Sequence, residues 1–237
     1  MAAYAEGSVI LMAAGEFGYT TLFNANRVPA RPQATMRSWP EVLATVDAIA
    51  SKPGDIKLVA FDALGGFEQL CHRYVCDTHF RGDWGEKGFL GYQRGYDLAI
   101  SEWLKLLAAL ERLQFSAAAI DVLLLGHAQI RPFKNPMGAD YDHYVCNCHA
   151  KTWGVTEKWA DTVLFGTFAS VVDTPKPGAK KGKGIGGTQR VLYTDHRDAF
   201  DAKNRFGLPP EIEIPNDRTM AWSTLADLLK DDSNGTV

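Results

Sequence analysis

The stretch Ile56-Lys57-Leu58-Val59-Ala60-Phe61-Asp62 does most to narrow what this chain can fold into. Its apolar run is short and unbroken, so it lacks the 3.6-residue period of an amphipathic helix. Such a run reads as a strand buried on both faces, which points to a parallel sheet covered by helices. It ends abruptly in a carboxylate, and Ala63-Leu64-Gly65-Gly66 follows. Ligands of open α/β sheets bind at the carboxyl ends of their strands. Asp62 therefore stands where a ligand would be met. The alternative is that it only caps the next helix, a common use of Asp.

Composition adds boundaries rather than identity. A chain of 237 residues can bury a full core. A net charge of -3 excludes a global basic field, so any nucleic-acid contact must be a local patch. Residues 1–12 carry neither a basic segment nor a long apolar one, and no later run is long enough for a membrane span. A cytoplasmic protein that enters no membrane is expected. Cys71, Cys76, Cys146 and Cys148 have spacings C-x4-C and C-x-C, unlike the common zinc patterns, and read as reduced thiols.

Ser8-Val9-Ile10-Leu11-Met12 reads as the first strand, and Ala13-Ala14-Gly15-Glu16-Phe17-Gly18-Tyr19-Thr20-Thr21-Leu22 follows. Against the phosphate-loop pattern G-x-x-x-x-G-K-[ST], Gly18 and Thr20 occupy the second Gly and the Ser/Thr. Ala13 replaces the first Gly, and Tyr19 replaces the Lys. Tyr brings no positive charge to terminal phosphates. Backbone N–H groups at a helix start can still hold them. Gly15, Gly18, Tyr19, Thr20 and Thr21 are thus the candidate phosphate-side residues; otherwise the stretch is a plain glycine-containing turn.

Residues 24–37, with Pro29, Arg31 and Pro32, read as a loop. Ser38-Trp39-Pro40-Glu41 then opens a helix with an N-cap, a first-turn Pro and a capping-box Glu. Residues 67–76 are helix-like. Residues 79–97 interleave Phe80, Trp84, Phe89, Tyr92 and Tyr96 with Arg81, Lys87 and Arg94 and five glycines. Aromatic faces plus cations suit single-stranded nucleic acid; the same pattern also fits a surface loop pinned by its aromatics. Residues 99–113 have the period of an amphipathic helix.

Residues 119–126 read as a second buried strand, tipped by His127-Ala128-Gln129. A Gln there can position a water or sense a terminal phosphate, while His127 reads as a structural histidine. Residues 130–150 read as a long loop carrying Arg131 and Lys134. A helix at 152–161 and strands at 162–168 and 190–194 follow. Between those strands, residues 174–188 form a flexible basic loop with Lys180, Lys181 and Lys183, either solvated or touching a phosphate backbone. Residues 211–237 read as a tail with one short helix near 223–230. No repeat or composition boundary divides the chain, so a single domain over 1–237 is expected.

Several strings together carry a resemblance. Asp62 with its flanks, "FRGDWGEKGFLGY", "GHAQIRPFKNPMGADYDHY", "KWADTVLFG" and "FDAKNRFGLP" resemble the phage-type RecA-like P-loop ATPases, a group that includes phage single-strand-annealing recombinases. The likeness is strong over roughly 57–210 and poor before 55, where the chain diverges. It implies a RecA-like core: an α/β fold with a mostly parallel central sheet flanked by helices and a C-terminal β-hairpin extension. It implies ATP and Mg²⁺ as cofactors, with Thr20 and Asp62 on the metal side and Gln129 as the γ-phosphate sensor. Lys203 and Arg205 match the basic pair that reaches a neighbouring subunit's nucleotide, which implies a homo-oligomeric ring or filament. Residues 79–97 and 130–148 match the loops that face single-stranded DNA. The chain departs from the group in having Gly18-Tyr19-Thr20 for Gly-Lys-Thr. Residues 21–23 run almost directly into the Pro- and Arg-bearing loop, so the early second strand with its water-orienting carboxylate is expected to be missing, and Glu16 and Glu41 are poor substitutes by position.

Overall fold

The computed structural model describes residues 1–172 and 184–231. Its first strand, β1 (Ser8–Ala13), is buried along its whole length. β2 (Gln33–Met36) and β3 (Leu58–Asp62) flank it, and β3 pairs outward with β4 (Asp121–Leu125). Every pairing is parallel, and the register puts Met12, Asp62 and Leu125 in one row at the carboxyl ends.

Alternation along the strands sorts their side chains onto two faces. Val9, Leu11, Val59 and Phe61 face a core built by α2 (Trp39–Ser51), α3 (Leu64–Phe80) and α4 (Arg94–Gln114). Ser38 caps α2 by accepting the Glu41 N–H at 3.4 Å, with Pro40 in the first turn. Trp39 of α2 stacks on Trp103 of α4 at 5.7 Å. The Trp103 indole N–H donates at 2.8 Å to Thr156 on α5 (Ala150–Trp159). On the other face, Ile10 and Met12 pack with Ala3 and with Tyr19 of α1 (Gly18–Asn24).

Several stretches differ from the sequence reading, among them residues 184–188, read as part of a flexible loop, which begin a strand (Gly184–Tyr193). Residues 33–36 are a strand, not a loop. An open edge on β1 would leave a row of backbone groups unpaired; Ile10 N–H instead donates to Pro32 O and Ala14 N–H to Met36 O, each at 2.9 Å. Residues 79 and 80 belong to α3, which ends at Arg81 in the left-handed region (φ 53°). Residues 130–150 are not a loop either. β5 (Ala128–Phe133) and β6 (Tyr141–Cys146) form a two-stranded sheet. Pro136 and Gly138 fall in its turn, and Pro132 is tolerated because each strand of such a pair keeps an open edge.

The chain divides into two compact units. One comprises Ala2–Gln129 and Cys146–Trp159 and holds the parallel sheet. The other comprises Met1, Ile130–Val145 and Ala160–Val237. In it, β8 (Phe165–Val172), β9 (Gly184–Tyr193) and β11 (Glu211–Ile214) form an antiparallel sheet in the order β11-β9-β8. β7 (Thr162–Val163) pairs with β10 (Lys203–Asn204). The segment read as a tail supplies β11 and α6 (Met220–Asp231), whose Ala221 and Leu225 pack on Ile212 and Ile214. Among the described residues, no helix is long and apolar enough to cross a membrane.

Candidate functional site

β1 runs straight into the turn that matters. Glu16 N–H bonds back to Ala13 O at 3.0 Å, and Gly15 takes φ +99° with open space beside it. α1 then starts at Gly18, and its first intrahelical bond is Thr21 N–H to Phe17 O at 2.8 Å. The N–H groups of Gly18, Tyr19 and Thr20 precede that bond, as the first donors of any helix do.

Asp62 closes β3 next to this turn. A Cβ on Gly18 would stand 3.4 Å from Asp62 Oδ2, at van der Waals contact, so the carboxylate lies beside the start of α1. The peptide from Asp62 to Ala63 is cis. α3 begins at once, and its Gly66 lets the helix approach the end of β1: a Cβ there would meet Ala13 Cβ at 2.6 Å and Glu16 Oε1 at 3.6 Å. Glu16 thus lies over the first turn of α3, in the neighbourhood of Asp62. Burial and the Glu16 carboxylate hold the Asp62 carboxyl above the usual range, and His127 pulls it the other way. The site is therefore two carboxylates and an exposed imidazole around a glycine turn.

The residues expected from sequence fall as follows. Gly18 and Asp62 come together. Tyr19 is buried, 5% exposed, with its hydroxyl held by the backbone of residues 29 and 31. The Thr20 hydroxyl donates to Gln33 Oε1 on β2 at 3.3 Å and reaches Met12 Sδ at 3.8 Å. Thr21 is exposed. Gln129 is the second residue of β5 and half-buried. Lys203 donates to Ala160 O at 2.6 Å, and Arg205 pairs with Asp161 at 2.9 Å, all within the second unit. Sequence reasoning set aside Glu16 and His127. The signal for both was position: Glu16 is the only charge in the 13–20 turn, and His127 stands just past a buried strand.

The basic and aromatic candidates are on view too. Phe89 is fully buried, and its ring lies 2.3 Å from where a Gly95 Cβ would be, so only glycine fits there. Trp84 packs on Phe89 at 4.8 Å while staying 45% exposed. Arg94 lies 5.9 Å over Phe80 and donates to Gly91 O and Lys87 O. Arg81 and Lys87 are exposed. In the β5–β6 hairpin Lys134 pairs with Asp140, and Arg131 projects from β5. Lys180, Lys181 and Lys183 lie outside the described residues.

Residues 16–206 match the AAA domain family. The chain belongs to it. No curated protein matches the chain. The matched span takes in Glu16, Gly18, Asp62, His127, Gln129, Lys203 and Arg205. An AAA domain is a nucleotide-binding, ATPase-type module, which implies Mg²⁺ and ATP. The donors here suit the metal side of such a ligand: two neighbouring carboxylates, one of them held above its ordinary pKa by burial and by the other, with only the His127 imidazole opposing that shift. The phosphate side has backbone N–H groups only, since the 13–20 turn holds no Lys or Arg. Among the described residues, no group of three or more His, Cys, Asp and Glu is gathered around a metal position.

Proposed function

We propose that this AAA-domain protein binds Mg²⁺–ATP at the carboxyl edge of its parallel sheet and hydrolyses it slowly. The single observation that carries this reading is the placement of Asp62 Oδ2 against Gly18 at the start of α1. Asp62, with Thr20, would hold the metal, Glu16 would add negative charge beside it, and the Gly18–Thr20 backbone would face the phosphates. The bound metal supplies the positive charge that the turn lacks. Gln129 would orient water at the terminal phosphate. Lys203 and Arg205 would reach the nucleotide of a neighbouring copy in a ring or filament.

The wider role is that of a phage-type RecA-like protein, working on single-stranded DNA in recombination or annealing in the cytoplasm. The strings around Arg81–Arg94, Arg131–Lys134 and the 174–188 lysines support it, as do the exposed Trp84 and Tyr92. A non-hydrolysing relative that serves as a DNA- or partner-binding module is the second reading, favoured by the burial of Tyr19 where other members place Lys. Losing a charged transition-state contact costs on the order of 10²-fold in rate or more.

Filter binding of labelled ATP with and without Mg²⁺ tests the site. Wild type should retain ATP only with Mg²⁺, and Asp62→Ala should abolish retention. Equal retention by Asp62→Ala, or none by wild type, removes the nucleotide reading. Hydrolysis in the same samples decides between the two readings. Anisotropy with a labelled single strand tests the DNA role: Trp84→Ala and Lys87→Ala should weaken binding, and an unbound strand removes that role.

A further inference from the structure

Cys146 closes β6, and Cys148 stands two residues on, ahead of α5. The Cys148 N–H donates to Cys146 O at 2.8 Å. That i to i+2 bond folds the three residues into a γ-turn. The turn brings the two sulfurs to 3.8 Å, and both thiols are free. Cys146 is half-buried, whereas Cys148 is 6% exposed. When Cys146 ionises, the Cys148 S–H donates to it and holds it below the ordinary thiol value; the same bond, with burial, pushes Cys148 up. A reachable, acidified thiol beside a buried protonated one is the arrangement of an attacking and a resolving cysteine. Cys71 and Cys76 differ: both are buried on α3, and burial raises each.

The turn also touches the site. Cys146 Sγ lies 2.8 Å from where a Cβ on Gly126 would stand. Asn147 N–H donates to His127 O at 2.7 Å. Asn147 O sits 3.3 Å from the Cβ position of Gly65, in the first turn of α3. The three residues thus clasp the segment that carries His127 and the helix that follows Asp62.

We propose that Cys146 and Cys148 form a peroxide-sensitive dithiol whose oxidation to a disulfide displaces His127. The Cys146 thiolate attacks one peroxide oxygen and the O–O bond breaks, leaving a sulfenic acid on Cys146 and hydroxide. The Cys148 sulfur then attacks the sulfenic sulfur. The S–S bond forms as hydroxide leaves and takes up the Cys148 proton. Two thiols are oxidised and one hydrogen peroxide is reduced to two waters. The sulfurs must close from 3.8 Å to about 2.05 Å. Cys146 then leaves its seat on Gly126, and the segment bearing His127 loses that contact.

The test uses the full chain and hydrogen peroxide. Oxidised wild type should lose the mass of two hydrogens, and the peptide spanning 146–148 should resist iodoacetamide until dithiothreitol is added. Cys148→Ala should stop at a sulfenic acid on Cys146 that dimedone captures. A 146–148 peptide that stays fully alkylatable, or that gathers sulfinic acid while Cys148 remains a thiol, overturns the dithiol. The wild-type measurement needs no variant, so a poorly folding mutant does not blunt it. The coupling is read from the His127 ring proton resonance, assigned by its loss in His127→Gln. It should shift on oxidation and return on reduction; a disulfide that leaves it unmoved overturns the coupling. No nucleotide enters either measurement, so both stand apart from the ATP reading.

Discussion

The Tyr19 hydroxyl accepts the Arg31 backbone N–H at 2.6 Å and donates to the Pro29 carbonyl at 3.1 Å. The ring packs with Ala3, Ile10 and Met12 and stacks on Phe23 at 6.2 Å. The residue standing at the phosphate-loop lysine position is thus a core side chain that fastens the connection between α1 and β2. Its chemistry explains the substitution: a phenol can satisfy two backbone groups from a buried ring, whereas an ammonium there would be desolvated.

Restoring the lysine alone should therefore not restore turnover. Tyr19→Phe removes two hydrogen bonds and should cost ~1–2 kcal/mol. Tyr19→Lys strands a charge in an apolar cluster and should cost ~3 kcal/mol or more. Urea unfolding of the variants ranks these losses. Measurable ATP hydrolysis by a fully stable Tyr19→Lys protein would show that the side chain faces the turn instead.

Asp62 should weaken the fold that displays it. Its raised pKa means that the native state binds more protons than the unfolded chain above the ordinary value of 3.8. Stability from this group therefore falls as pH rises through that value and stays reduced once the native carboxyl has ionised. Asp62→Asn should equal or exceed wild type in thermal stability near neutral pH, while losing Mg²⁺-dependent nucleotide retention. The two melting curves should converge in acid. Glu16→Gln should bring the Asp62 carboxyl down toward its ordinary value, read by carboxyl-carbon NMR. A destabilised Asp62→Asn at neutral pH would mean that the carboxylate makes a favourable native contact.

The parallel sheet was legible from the short apolar runs in Ile56–Asp62 and Ala119–Gly126; the first is a buried strand as expected, whereas the second, β4, is a half-exposed strand at the edge of the sheet. α2 and α4 were legible from capping and period. β2 was not: Gln33-Ala34-Thr35-Met36 has little apolar character, and it is a strand only because β1 needs a partner. β5 and β6 were hidden by Pro132, Pro136 and Gly138, since a two-stranded pair depends on turn chemistry more than on hydrophobicity. Asp62 was singled out by strand-end logic and Gly18 by the phosphate-loop pattern. Glu16 and His127 were missed because their relevance lies in spatial neighbours 46 and 65 positions from Asp62 in sequence, which no local pattern encodes.

Thr156 offers a clean test of the helical layer. Its Oγ1 accepts the Trp103 indole N–H at 2.8 Å and donates to Thr152 O at 2.7 Å, with both Thr156 and Trp103 buried. Thr156→Val keeps the volume and strands the indole donor, so it should cost ~1–3 kcal/mol. Thr156→Ser keeps the hydroxyl and removes one methyl, a loss of ~1 kcal/mol. Urea midpoints at unchanged slope separate the two. A Thr156→Val loss no larger than that of Thr156→Ser would mean that the hydrogen bond contributes no more than the methyl.

His72 should give the protein an acid-sensitive term. Its ring packs at 5.6 Å from Phe89 and 5.3 Å from Tyr96. Burial, then the neighbouring His149, push its pKa down to about 4 from the ordinary 6.5. The nearest carboxylate, Glu68 at 3.9 Å, is occupied by the His149 N–H at 2.8 Å and 3.1 Å. Between those two pKa values the unfolded chain is protonated at this residue and the native chain is not. The unfolded state binds the extra proton, so stability rises with pH across that window and is lost as pH falls through it, by at most ~1.4 kcal/mol per pH unit. His72→Phe keeps a ring in the cluster and cannot titrate. Its unfolding free energy, measured in urea across the same window, should run flatter than wild type by that amount. Parallel slopes would assign the acid sensitivity to another group.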